Sequence, residues 1–215
     1  MKRISLLALL LTVSALSAPS FAQDVTADDD SAPTWMDELD PFDANTPELL
    51  RQMDQIYEQE TGESAHLDTN AVELMQATGQ DCNRLSCPVW ARVNKVTQTL
   101  SLYLNGNSSP MAVWPVSTGV RGRTTPDFDR HPDGRIYNKY SSKKYPGGDY
   151  KGLGNMPYAV FIQGGFAIHG TPSGNWSKLG KRASHGCIRV HPDNAKNFNG
   201  LVRSNGIANV WITVE

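Results

Sequence analysis

Ser184-His185-Gly186-Cys187-Ile188-Arg189 sets a thiol among imidazole, glycine and guanidinium groups, and a second histidine, His169, precedes it in Ile168-His169-Gly170. A cysteine thiol is only slightly ionised at neutral pH. A neighbouring base, a cation or a ring of backbone N–H groups favours the thiolate and makes it a nucleophile. Gly186 lets the backbone approach a substrate carbonyl closely, and N–H groups so placed form an oxyanion hole. The pattern points to acyl transfer: Cys187 as nucleophile, and His169 as general base and as acid for the leaving amine. A buried structural cysteine is the plain alternative. Zinc is the other: His169, His185, Cys187 and His191 are ligand types, but one residue between His185 and Cys187 makes joint chelation awkward. No Cys-x-x-Cys or His-x-x-x-His supports it, and neither a metal nor a cofactor is assigned.

The spaced histidine and cysteine resemble the L,D-transpeptidase catalytic-domain (YkuD-type) family. That family carries a histidine, a short spacer, then Ser/Thr-His-Gly-Cys, an apolar residue and usually arginine. Here the spacer between His169 and Ser184 is 14 residues, and Arg189 is in place. The resemblance spans roughly residues 88–215. It implies a mainly β fold, a β-sandwich-like domain with mixed sheets and short helices. It also implies that the Gly170 carbonyl orients His169, and that a cysteine thioester forms from a tetrapeptide stem of peptidoglycan with loss of the terminal D-Ala. Carbapenem-type inhibitors would then add to Cys187. The backbone of His185 and Gly186, with the Cys187 N–H, would shape the oxyanion pocket. Arg189 would fix the loop or bind a substrate carboxylate, and Ser184 would bond locally or touch substrate. Tyr158, Asn175 and Trp176 are candidate substrate contacts. The acyl acceptor stays open: a second stem, an envelope protein, a D-amino acid, or water in an L,D-carboxypeptidase or amidase. A non-catalytic wall-binding protein is a third class, and it would have no need of His169 and Cys187.

The elements that must position these residues read as mainly β from residue 88 onward. Val89, Ala91 and Val93 alternate, as do Leu100, Leu102 and Leu104. Asn105-Gly106 signals a hairpin turn. Residues 111–117, 158–163, 166–169 and 210–214 read as further strands, with Gly164-Gly165 joining the middle pair and a helix over 193–202 before the last. Residues 121–155 lack periodicity, and a loop this long is usually functional or mobile. By resemblance they hold the family's substrate-covering lid, although Thr125-Pro126-Asp127-Phe128 lacks the glycine of the family's Thr-Pro-x-Gly-x-Phe.

Upstream, Thr46 reads as an N-cap with Pro47 at the first helical position. Leu49, Leu50, Met53, Ile56 and Tyr57 follow at helical spacing, and Gly62 ends the run. A second helix spans 69–78, stopped by Gly79. Two short helices cannot bury a core alone and are expected to pack on the catalytic domain. Residues 23–45 are acidic and read as disordered or loosely docked, with Trp35, Met36, Leu39 and Phe42 as anchors.

Residues 1–22 read as a signal peptide: Lys2 and Arg3, a short apolar run over 4–16, and small residues at Ser20-Phe21-Ala22. No later stretch reaches the ~20 apolar residues of a membrane span. The expected address is the periplasm or cell envelope, where Cys82 and Cys87 would pair and leave Cys187 as the odd thiol; three reduced thiols are the alternative. The expected division is therefore 1–22, an acidic extension over 23–81, and a catalytic domain over 82–215. The extension has 16 acidic residues against one basic, Arg51, a net −15, and the remainder has 17 basic against six acidic, a net +11. The two should attract, and a basic domain suits carboxylate-rich stem peptides. The export signal and the lack of any recognisable module exclude nucleic acid as partner.

Overall fold

Two mixed β-sheets share one apolar interior in the computed structural model, which describes residues 40–140 and 149–215. The larger sheet contains β1 (Val89–Asn94), β2 (Thr99–Leu104), β3 (Ala112–Pro115), β4 (Phe128–Arg130) and β8 (Val210–Val214), in the order β3-β2-β1-β8-β4. The smaller contains β5 (Val160–Gln163), β6 (Phe166–Gly170) and β7 (Ile188–Val190), in that order. Helix α3 (Pro192–Asn205) follows β7. Period-two alternation decides which side chains point inward. Val89, Ala91, Val93, Leu100 and Leu102 from the large sheet meet Val160, Ile162, Ile168, Ile188 and Val190 from the small one, with Ala195, Phe198 and Val202 of α3 beside them.

Two helices precede the sheets: α1 (Thr46–Thr61) and α2 (Asn70–Thr78), ended by Gly62 and Gly79 in left-handed conformations that glycine adopts without cost. Helix α1 buries Leu50, Met53 and Tyr57 against Tyr137, Tyr140, Met156, Ala159, Phe161, Ala167 and Cys187, forming a second apolar cluster. Burial of that kind stabilises by roughly 1.5–3 kcal/mol per large side chain. The acidic extension also meets the basic domain in ion pairs: Asp54 with Arg135, Glu60 with Lys139, and Glu63 with Arg203. Asp81 reaches His131 at 2.8 Å. Residues 40–81 are thus continuous with the folded body rather than a separate layer.

Several local readings are corrected. Asn45, not Thr46, precedes α1, and Thr46 lies inside the first turn, where its hydroxyl donates to the Asp40 carbonyl at 2.6 Å. Ile56 faces outward, and α2 buries no residue fully. Asn105 and Gly106 do turn the chain with positive φ, but β3 resumes only at Ala112, after a polar loop. Strands β4 and β7, three residues each, are too short to show a period-two pattern of their own in the sequence. The expected signal peptide and the anchor candidates Trp35, Met36 and Leu39 fall in residues 1–39, and part of the loop read as a lid falls in residues 141–148; both stretches lie outside the described residues.

Candidate active site

Strands β6 and β7 run parallel with Ile168 opposite Ile188 and His169 opposite Arg189. Continuing that register sets Cys187, the residue before β7, opposite Ala167. Ile168, Ile188 and Val190 point into the main core, whereas Ala167 and Cys187 belong to the second cluster. Alternation along β6 therefore brings His169 to the same face as Ala167 and Cys187. That face is the one α1 covers. His169 is 1% exposed and Cys187 3%.

The imidazole is fixed at one edge. His169 Nδ1 lies 2.7 Å from the Gly170 carbonyl oxygen. A carbonyl can only accept, so Nδ1 carries a proton, and in the neutral form of the ring Nε2 carries the lone pair. The Cys187 thiol donates to the Gly165 carbonyl at 3.3 Å, across the Gly164-Gly165 turn that joins β5 to β6.

The loop before β7 is held by its own polar groups. Ser184 Oγ donates to the Cys187 carbonyl at 2.5 Å and accepts from the Gly186 N–H at 3.2 Å. Ser184 is thus a local clamp. The Gly186 N–H is already directed at Ser184, so this residue's part in the pocket is shape: its φ of 125° and missing side chain. Arg189 is fully buried and donates to the Ala183 carbonyl at 2.8 Å. That bond ties it to the loop before β7.

Support also comes from residues the sequence reading passed over. Buried Thr125 donates to the Gly186 carbonyl at 2.7 Å and accepts from the Gly119 N–H at 2.9 Å. The Thr118 carbonyl accepts from the N–H groups of both Ala183 and Ser184. Gln98, itself buried, clamps Thr118 through the backbone N–H and the hydroxyl. Thr125 had a signal in the Thr-Pro dipeptide. Gln98 had none, since a lone glutamine between strands looks like a surface turn.

The three candidate substrate contacts separate. Asn175 is buried and donates to Thr171 Oγ1 at 2.9 Å, a bond that braces its own turn; it is not a surface contact. Tyr158 packs against the main core rather than in the Cys187 cluster. Trp176 is 38% exposed, lies tilted against the His191 ring at 4.4 Å between centroids and donates to the Thr171 carbonyl. His191 caps α3 by accepting from the Asp193 N–H. Among the described residues no group of three or more His, Cys, Asp or Glu is gathered as a metal site. Cys82 and Cys87 form a disulfide ahead of β1.

The wall over the site is tied by Asp54 of α1. Its carboxylate accepts from Arg135 Nε at 2.9 Å and Nη2 at 3.1 Å, from the Tyr137 hydroxyl at 2.5 Å, and meets His66 Nε2 at 3.1 Å. Burial raises the Asp54 pKa, but the bonds from Arg135, Tyr137 and His66 outweigh it and hold the carboxyl below its usual range. Burial, then the bond to Asp54, pushes the Tyr137 hydroxyl far up, so it stays a neutral donor.

The model of the L,D-transpeptidase catalytic domain (YkuD) matches residues 88–212, more than half the chain and all of both sheets but the last residues of β8. The chain belongs to the YkuD family. Solved structures similar to this chain include an L,D-transpeptidase in complex with imipenem (22% identity, 60% of each chain covered, TM-score 0.48). Another is the L,D-transpeptidase of Stackebrandtia nassauensis (20% identity, 67% of this chain and 64% of that one, TM-score 0.46). A third is L,D-transpeptidase 3 of Mycobacterium tuberculosis with a faropenem-derived adduct (20% identity, 60% and 61%, TM-score 0.43). The first-named match spans about 60% of that relative's own length. No curated protein matches the sequence. Both sheets, the His169–Cys187 face and the loop clamped by Ser184 thus lie within a YkuD catalytic domain, with α1 and α2 added ahead of the matched residues.

Proposed function

We propose that this YkuD protein is an exported peptidoglycan L,D-transpeptidase working through a thioester on Cys187. The observation that carries the reading is the shared face of His169 and Cys187 on adjacent parallel strands, with the ring anchored at Nδ1 by the Gly170 carbonyl. A neutral imidazole so held presents Nε2 as the proton acceptor, and a carbonyl does the orienting that a carboxylate does in a Ser-His-Asp triad. His169 takes the Cys187 proton, and the thiolate adds to the carbonyl of the diaminopimelate-type residue of a tetrapeptide stem. The oxyanion is assigned to the Cys187 N–H and the His185 backbone, in a pocket that Gly186 keeps open. The bond to the terminal D-Ala nitrogen breaks as His169 returns the proton to that nitrogen, leaving a thioester. An acceptor amine attacks the thioester, His169 takes the amine's proton, and the thiol is restored.

Trp176, exposed beside the turn that follows β6, is the aromatic surface assigned to the substrate. The basic and apolar residues at the start of the chain support export, and the Cys82–Cys87 disulfide suits an oxidising periplasm or envelope. The relative bound to imipenem supports carbapenem acylation at Cys187. Incubating the protein with tetrapeptide-rich sacculi and analysing muropeptides by mass spectrometry tests the reading. Cross-linked dimers or stem-to-protein links are expected. Tripeptides alone would assign an L,D-carboxypeptidase, and an unchanged profile would leave a wall-binding protein.

A further inference from the structure

Residues 40–45 lie directly over the catalytic loop. A methyl group built on Gly186 would meet Pro41 Cγ at 2.8 Å and Phe42 Cε2 at 2.9 Å; one built on Gly165 would meet the Pro41 Cα at 2.8 Å. These two glycines flank the thiol, since Gly186 precedes Cys187 and the Gly165 carbonyl receives its hydrogen bond. Phe42 sets its ring edge-on to Phe166 at 5.3 Å between centroids. The carboxylate of Asp40 pairs with Arg123. Arg123 belongs to the loop whose Thr125 grips the Gly186 carbonyl, so it sits on the wall of the same site.

This segment is held less firmly than α1. Phe42 is 49% exposed, and the Arg123–Asp40 pair is partly exposed on both sides. A cleft of about 550 Å³ runs behind the segment, between Pro41, Thr46, Leu50 and the Gly164-Gly165 turn. Its remaining ties are short-range, such as the Thr46 hydroxyl to the Asp40 carbonyl. Helix α1, by contrast, buries three large side chains and locks Asp54.

We propose that residues 40–45 are a built-in competitor of the peptide substrate. Asp40 takes, on Arg123, the place of a stem-peptide carboxylate, while Pro41 and Phe42 close the approach over Gly186 to Cys187. The proposal rests on the stem-peptide reading above and adds to it a carboxylate-binding residue, Arg123, and a displaceable strap. Binding of an acyl donor and lifting of the strap are then one exchange: the donor carboxylate displaces Asp40, and its chain displaces Pro41 and Phe42.

Because Cys82 and Cys87 are joined, iodoacetamide reads Cys187 alone, and alkylation needs no catalytic turnover. The full-length mature protein is labelled and followed by intact mass. Asp40→Asn keeps the acceptor for the Phe42 N–H while removing the charge. Asp40→Asn and Phe42→Ala should each speed labelling several-fold, and together roughly tenfold, since about 1.4 kcal/mol of lost closure is a factor of ten. Arg123→Ala should speed labelling as Asp40→Asn does. A soluble tetrapeptide stem is then titrated as protecting ligand. Asp40→Asn should be protected at lower concentration than wild type, and Arg123→Ala at higher concentration than Asp40→Asn. Wild-type labelling rates in the Asp40→Asn/Phe42→Ala double variant would refute the strap. Equal protection of Arg123→Ala and Asp40→Asn would refute the carboxylate site. Faster labelling with no muropeptide product from any variant would keep the strap and sink the transpeptidase reading instead.

Discussion

Replacing Asp54 by alanine should loosen the whole wall over Cys187. Three side chains converge on this carboxylate through four contacts, and the Asp54 and Arg135 side chains are each only 15% exposed. Removing one partner of a buried ion pair costs about 3–5 kcal/mol, because the other is left charged and unpaired. Partial exposure argues for the low end, about 3 kcal/mol. The guanidinium keeps two other contacts, the Asp133 carboxylate at 4.0 Å and the Phe161 ring at 5.6 Å, which soften the loss. For a chain of this size about 1 kcal/mol shifts the melting temperature by 2–4 °C, so Asp54→Ala should melt about 6–12 °C lower. Asp54→Asn keeps an acceptor for the Tyr137 hydroxyl and should fall between. Scanning calorimetry of wild type, Asp54→Ala, Arg135→Ala and the double variant completes the test. The double variant should lose clearly less than the sum of the singles. A drop below about 3 °C for Asp54→Ala, or strict additivity, would show that α1 is held by apolar burial alone.

Cys187→Ala should abolish muropeptide turnover with an unchanged melting profile, and any D-Ala release from it would refute the thioester route. His169→Ala should slow acylation by about 10²–10⁴-fold, read as the rate of carbapenem adduct formation by intact mass; a near wild-type rate would assign the base elsewhere. In wild type that adduct should map to the peptide carrying Cys187. The folded Asp54 pKa lies below its unfolded value, so its stabilisation is complete above the unfolded pKa near 3.9 and is lost as pH falls through the folded one. The gap in melting temperature between wild type and Asp54→Asn should therefore be constant from about pH 7 to 5 and shrink below about pH 4; a gap that widens on acidification would reverse the assigned sign.

Much of the catalytic domain was legible because its signals are local. Alternating Val89, Ala91 and Val93 on one side and Leu100 and Leu102 on another can satisfy only a half-buried strand. Gly164-Gly165 between two apolar runs marks a reversal. Strand β7 escaped notice because Arg189 interrupts the apolar pattern of Ile188 and Val190, and nothing local says that a guanidinium will be fully buried on a loop carbonyl. Asn175 misled for the related reason: an asparagine in a polar turn looks available, yet here its amide braces Thr171 from inside. The triplet Phe128-Asp129-Arg130 becomes β4 only because β8 offers it an open edge.

The cover over the site was legible in charge but not in place. An acidic extension ahead of a basic domain predicts attraction, and Asp40, Asp54, Glu60 and Glu63 do find Arg123, Arg135, Lys139 and Arg203. Exposed charges alone are screened within about 8–10 Å and give no unique docking position. Position comes from steric fit and burial: Leu50, Met53 and Tyr57 against Phe161 and Ala167, then Pro41 on two glycines more than a hundred residues away in sequence. No periodicity encodes such a contact. It arises because Gly165 and Gly186 leave a bare patch of backbone beside Cys187. The catalytic reading demands that patch so that a substrate carbonyl can approach. The same bareness lets a proline of the chain itself lie there, so the feature that admits substrate also admits its competitor. Asp54 and the burial behind it keep α1 in place, while the weaker ties of Asp40 and Phe42 leave residues 40–45 able to lift without unfolding the wall.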